Sequence, residues 1–149
     1  MQASELSRLV QRLWRTTLQL PLRESSDVNT PPGAVLTASI RFGGSQHTVL
    51  SVTCGEGLAN QIAASMFRVR ADRVSAADVR DALGEVVNIV GGMAKAVLEP
   101  SSQLGLPQVS EGDVPPAALV GAQVELAHQL GFESQGGRMI VRLARVAAA

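Results

Sequence analysis

The sequence predicts a single small α/β domain, an α+β sandwich in which a mainly antiparallel sheet is covered by helices. Three observations carry this. Four runs, Leu36 to Phe42, Thr48 to Thr53, Ala118 to His128 and Arg138 to Arg145, alternate apolar and polar residues with period two, as half-buried strands do. A Gly43-Gly44 pair stands between the first two and marks a tight hairpin. Three further segments repeat apolar residues every three or four positions, the spacing of a helix with one face on a core. At 149 residues, residues 1–149 are read as one domain, long enough to bury about two thirds of the unfolded surface.

Taken in order, Ser4 can cap a helix whose Leu6, Leu9, Val10, Leu13, Trp14 and Leu18 share a stripe, ending before Pro21. Trp14 is expected to anchor that helix in the core. Arg23 to Gly33 is rich in Ser, Asp, Asn, Thr and Pro and reads as a loop. In the first long strand Leu36, Ala38, Ile40 and Phe42 oppose Thr37, Ser39 and Arg41, so one face should be wet. Thr48, Leu50, Val52 and Cys54 share a face of the next, where Cys54 should pack as a small apolar side chain. His47 reads as hairpin polarity, because no Cys, His or acid stands near it at metal-ligand spacing.

Leu58, Ile62 and Met66 recur every four residues and predict a helix from Gly55 to Phe67. Ser75-Ala76-Ala77-Asp78 is a capping box that starts a long helix over about 76–98, stopped by Pro100. Glu99 to Pro116 holds four prolines and reads as irregular, with Leu106 and Val109 able to anchor a short extended piece. The last two strands should be joined around Gly131 to Gly137, with His128 at the end of the first.

The long helix organises the rest. At about 100° per residue, Val79, Leu83, Val86, Val87, Val90, Ala94 and Val97 fall in one core-facing stripe. Asp81, Glu85, Asn88 and Gly92 follow i, i+4, i+7, i+11 and form a column on the solvent side. An acid and an amide at helical spacing also describe an ordinary solvated face. Gly84, Gly91 and Gly92 argue for more, since each costs roughly 1 kcal/mol against Ala inside a helix. Glycines beside Glu85 and Asn88 would flatten the surface and let a partner approach them closely.

Composition excludes several function classes. Thirteen Lys plus Arg balance thirteen Asp plus Glu, and Lys95 is the one lysine; no basic stripe argues for nucleic acid. Gly55-Glu56-Gly57 lacks the spacing and lysine of a phosphate loop. The lone Cys54 cannot form an internal disulfide, and no apolar run reaches the length of a signal or membrane segment, so a cytoplasmic protein is expected. No nucleophile has a base beside it, and no metal-ligating set is present, so a self-sufficient hydrolase is not expected.

Glu85-x-x-Asn88, with Asp81 four residues before the Glu and Gly92 four after the Asn, resembles the helix motif of the CheC/CheX/FliY chemotaxis phosphatases. The order of elements from about Leu6 to Val146 also resembles CheX: an N-terminal helix, a Gly-turned hairpin, a short helix, the long helix, a Pro-containing loop and two terminal strands. One motif helix, not two, matches the single-site CheX form. Pro107 is the nearest candidate for the proline that follows the motif helix in the family.

The resemblance implies a phosphatase acting on the aspartyl phosphate of a CheY-type response-regulator receiver domain. Asn88 would orient the attacking water and Glu85 would pair with the receiver's lysine. Asp81 would support binding, and Gly92 would give clearance. The chain would bind no cofactor itself; Mg²⁺ would arrive with the phosphorylated receiver. A homodimer is implied, with neither nucleic acid nor membrane as partner. The alternative is a non-catalytic adaptor of the same fold that binds a receiver or a flagellar-switch partner.

Overall fold

The computed structural model describes residues 1–43 and 47–147. Helix α1 (Ala3–Leu13) continues through a π-helical turn, Trp14–Leu18, and leads to β1 (Arg23–Ser25), β2 (Val35–Phe42) and β3 (Thr48–Gly55). Next come α2 (Glu56–Phe67), a 3-10 turn at Ala71–Arg73, α3 (Ala76–Leu98), β4 (Gln108–Glu111), α4 (Pro116–Val120), β5 (Val124–Ser134) and β6 (Gly137–Val146). The strands form one sheet in the order β1-β5-β6-β3-β2-β4, and every neighbouring pair is antiparallel.

The expected α+β arrangement is present, with β1 and β4 added to the four anticipated strands. β1 lies where a loop is predicted, because three residues are too few to show alternation, whereas β4 (four residues) is the short extended piece expected at Val109. Their backbone groups are paired by distant partners: β1 by Glu133 to Gly131, and β4 by Leu36 to Ser39. The Gly43-Gly44 hairpin expectation falls partly on residues 44–46, outside the described ones; β2 and β3 pair up to Phe42 and Thr48.

One sheet face and three helices enclose the main core, with Ile40, Phe42, Leu50, Val52, Val141 and Leu143 meeting Leu6, Trp14, Ile62, Leu83 and Val87. Trp14 is buried as predicted, and its indole N–H donates to Ser134 Oγ at 3.1 Å. Cys54 is fully buried, and burial pushes its thiol pKa up to about 12. The N-cap of α1 is Gln2 instead of Ser4, in a reciprocal box with Glu5. His128 lies within β5, not at its end, with Nε2 2.8 Å from the Met1 carbonyl oxygen.

The other sheet face is also covered, contrary to the half-buried expectation for β2 and β3. Thr37, Ser39, Val49, Ser51 and Thr53 are all buried. The segment that follows β4 crosses this face: Thr37 Oγ1 donates to the Gly112 carbonyl at 2.7 Å and accepts from Val114 N–H at 3.1 Å. Arg142, on the same face, donates to Gln129 Oε1 at 2.8 Å and pairs with Asp113 at 3.1 Å. α4 then packs on β3 and β6.

The strand expected from Ala118 begins only at Val124. Pro116 at the helix start and Gly121 in the left-handed region (φ 66°) make Pro116–Val120 helical instead. At its far end β5 runs through Gly131 to Ser134, and the reversal is confined to Gln135 and Gly136, both with positive φ. Gly131 belongs to the strand, paired with Ser25 and Ile140, and is small because the chain just after β1 crosses it closely: a Cβ there would meet the Asp27 carbonyl oxygen at 2.1 Å. Asp27 closes this corner through an ion pair with Arg138. Its carboxyl is held below the usual range, first by the Asn29 backbone N–H and then by Arg138.

Candidate functional site

Helix α3 begins as its capping box requires. Ser75 Oγ accepts from Asp78 N–H, and Asp78 Oδ2 accepts from Ser75 N–H, each at 3.0 Å. It ends at Leu98. Val79, Leu83, Val86, Val87, Val90 and Ala94 are buried, so the apolar stripe faces the core as predicted. Val97 does not join it: half of its surface is exposed.

On the opposite side the structure places all four sequence-predicted residues on one helix. Asp81, Glu85 and Gly92 are exposed and Asn88 is half-buried. Neither Glu85 nor Asn88 makes a side-chain hydrogen bond or ion pair with another described residue. A carboxylate and a carboxamide one turn apart, held on a rigid helix, are thus open to groups from outside the chain. Among the described residues no group of three or more His, Cys, Asp or Glu could hold a metal ion. No described helix is long and apolar enough to cross a membrane.

The three glycines do not act together as expected. Gly84 and Gly91 are buried, not surface-flattening. A Cβ at Gly91 would lie 2.9 Å from Ile40 Cγ2 and 3.4 Å from Leu104 Cδ1; at Gly84 it would meet Pro107 Cβ at 3.5 Å. They let the sheet and the loop after α3 approach the helix. Gly92 alone faces open space, with nothing within 4 Å of a Cβ.

Gly84, Asn88 and Gly91 recur at i, i+4, i+7, so Asn88 sits on the helix flank that the loop closes. Pro107 thereby borders the site, lining a shallow concavity with Arg80, Asp81, Gly84, Glu85 and Val109. Arg80 is a member that sequence reasoning missed. Its Nη1 donates to the Val109 carbonyl at 2.9 Å and Nη2 lies 3.9 Å from Glu111, tying β4 to α3. An exposed arginine on a helix carries no signal of such a clamp.

The family model described as chemotaxis phosphatase CheX matches residues 36–130, a span that includes α3 and Pro107. No match is found among curated proteins. Among solved structures, the chemotaxis protein CheX from Vibrio vulnificus superposes with a TM-score of 0.76 at 22% identity, covering 96% of this chain and 95% of that one. CheX from Desulfovibrio desulfuricans gives a TM-score of 0.71 at 20% identity, covering 96% and 97%. The CheX-CheY-BeF3-Mg²⁺ complex from Borrelia burgdorferi gives 0.69 at 13% identity, covering 97% of each chain. At these identities the structural likeness concerns the fold.

Proposed function

The chain belongs to the CheX chemotaxis phosphatase family, and from that membership we propose that it dephosphorylates the aspartyl phosphate of a CheY-type receiver domain. The observation that carries the reading is the exposed Glu85 and half-buried Asn88 on one face of α3, neither of them making a side-chain hydrogen bond or ion pair with another described residue. Polar groups without such a bond are available to a partner.

In this mechanism the receiver supplies the phosphoryl group and the Mg²⁺ that neutralises it, in keeping with the CheX-CheY-BeF3-Mg²⁺ composition of the Borrelia complex. The Asn88 carbonyl oxygen accepts a hydrogen bond from a water and holds it in line with the phosphorus. The water oxygen bonds to phosphorus as the bond to the aspartate oxygen breaks; the aspartate leaves as carboxylate, and both water hydrogens end on phosphate or solvent. Fixing that water removes orientational freedom before the transition state is reached, which is where this protein acts. Glu85 anchors the receiver through a lysine. Asp81, one turn earlier, adds negative charge that supports binding, and Gly92 leaves room for the partner's backbone.

A homodimer in the cytoplasm is the proposed setting. β1 pairs only with Gly131 to Glu133 of β5, so residues 124–130 have β6 on one side and no described strand on the other. Leu126 on this stretch is 49% exposed. An open edge with an apolar side chain favours pairing with a second copy.

The function is tested by following phosphate release from a phosphorylated CheY-type receiver with and without this protein. Acceleration is the expected result. Binding without acceleration would make the same face that of a non-catalytic adaptor.

A further inference from the structure

The loop between α3 and β4 contains an irregularity that the proposed chemistry does not use. Residues Gln103 to Glu111 form a strap along the edge of β2. Gly43 N–H donates to the Gln103 carbonyl and Gly105 N–H to the Arg41 carbonyl, each at 2.8 Å; Phe42 bridges Leu104, and Ser39 pairs with Gln108. Between those last two pairs β2 contributes Ile40 and Arg41, whereas the strap contributes Gly105, Leu106 and Pro107. One extra residue makes this a bulge, a device that re-aims a side chain. Its product is Leu106, which is 88% exposed, whereas Phe67, Val69, Val97 and Leu126 reach at most 50%.

The position of Leu106 relative to the site follows from its neighbours. Leu104 touches α3 at Gly91 and Pro107 touches it at Gly84. The strap therefore runs antiparallel to the helix along residues 84–91, the stretch that carries Asn88, and Leu106 lies on the strap between the two points of approach. It is also held there: Gly105 is bonded to Arg41, Pro107 has a fixed φ and rests on Gly84, and Arg80 grips the carbonyl of Val109. A floppy loop could fold a leucine back onto the protein. This loop presents one on a pinned support, along a helix whose Glu85 and Asn88 make no side-chain hydrogen bond or ion pair with another described residue.

We propose that Leu106 is the apolar docking contact of the Glu85–Asn88 face, inserting against the rim of the receiver's phosphorylation site and contributing to the choice among receivers. The inference rests on the receiver-directed reading of that face. It adds the apolar anchor next to polar contacts that protein interfaces commonly need. Leu106 holds no reacting atom, so it sets affinity and leaves the chemical step to Asn88.

The test uses the full chain with a CheY-type receiver loaded with beryllofluoride and Mg²⁺ for affinity, and the phosphorylated receiver for turnover. Leu106→Asp and Leu106→Ala remove a side chain that supports nothing in the fold, so both should melt within about 2 °C of the wild type. Leu106→Asp should weaken binding about tenfold or more, the loss of one buried leucine contact. Turnover at saturating receiver should stay within about twofold. Val97→Asp, a half-exposed apolar residue elsewhere on α3, should change neither. Unchanged affinity in Leu106→Asp, with binding still weakened by Glu85→Ala, would overturn the role of Leu106 and leave the receiver reading standing. If the wild-type protein neither binds nor dephosphorylates the receiver, the reading itself falls, and the docking role with it.

Discussion

Gly91 lies so close to Ile40 that a Cβ on it would sit 2.9 Å from the Ile40 Cγ2 methyl, while Gly92, one residue on, has nothing within 4 Å. Adjacent glycines of one helix therefore have opposite reasons for being small. Ile40 is buried in the sheet and is β-branched, so its methyl cannot swing away cheaply. Gly91→Ala should cost about 1–3 kcal/mol in overpacking against roughly 1 kcal/mol regained in helix propensity, a net loss. Gly92→Ala should gain about 0.5–1 kcal/mol. Urea unfolding of both variants checks the opposite signs; equal stabilisation would mean the helix is not pressed on the sheet.

Asn88→Ala and Glu85→Ala should separate two quantities. Asn88 makes no side-chain hydrogen bond with another described residue and is only half-buried, so its loss should change stability by less than about 0.5 kcal/mol. Turnover of a phosphorylated receiver at saturation should fall about 10²-fold, the scale of one lost positioning interaction. Glu85→Ala should chiefly weaken binding, more at low ionic strength, since the lost contact is between charges. Turnover measured at saturating and subsaturating receiver, in low and high salt, reads both. Full turnover in Asn88→Ala would remove the water-positioning role.

Cys54 gives the fold a predictable alkaline limit. Its thiol is raised from 9.0 to about 12 in the folded protein, so unfolding lets it ionise at lower pH. The stability this contributes is complete below pH 9 and is lost as pH rises from about 9 towards 12, with a slope approaching about 1.4 kcal/mol per pH unit. The chain has no tyrosine, and Lys95 is its one lysine, which leaves few other side chains to titrate in that window. Urea midpoints at pH 8, 9.5 and 10.5 should fall more steeply for the wild type than for Cys54→Ala. A thiol reagent at pH 8 should label Cys54 only when the protein unfolds.

The open stretch of β5 sets the expectation for assembly. Static light scattering at micromolar concentration should return the mass of two chains, and Leu126→Asp should shift it towards one, because a charge on an edge strand opposes pairing. A wild-type mass of one chain would count decisively against the dimer.

Local periodicity and local chemistry were enough to mark α3, from its Ser75–Asp78 cap to Leu98, to separate its core stripe from the Asp81, Glu85, Asn88 and Gly92 column, and to find β2, β3 and β6, with β5 only in part. Those features depend on residues within a few positions of one another, so the chain's own spacing determines them. Tertiary structure decided the rest. β1 exists because a strand distant in sequence satisfies its backbone groups, and no three-residue pattern reports that in advance; Val109 hinted at β4, but its partner in β2 is set by the tertiary fold. Gly91 and Gly84 are small because Ile40 and Pro107 press on them, which is a property of two surfaces meeting. Leu106 is exposed on the strap along α3 for the same kind of reason: the strap, pinned to β2, carries one extra residue there, and only the pairing of Phe42 with Leu104 and of Ser39 with Gln108 reveals it.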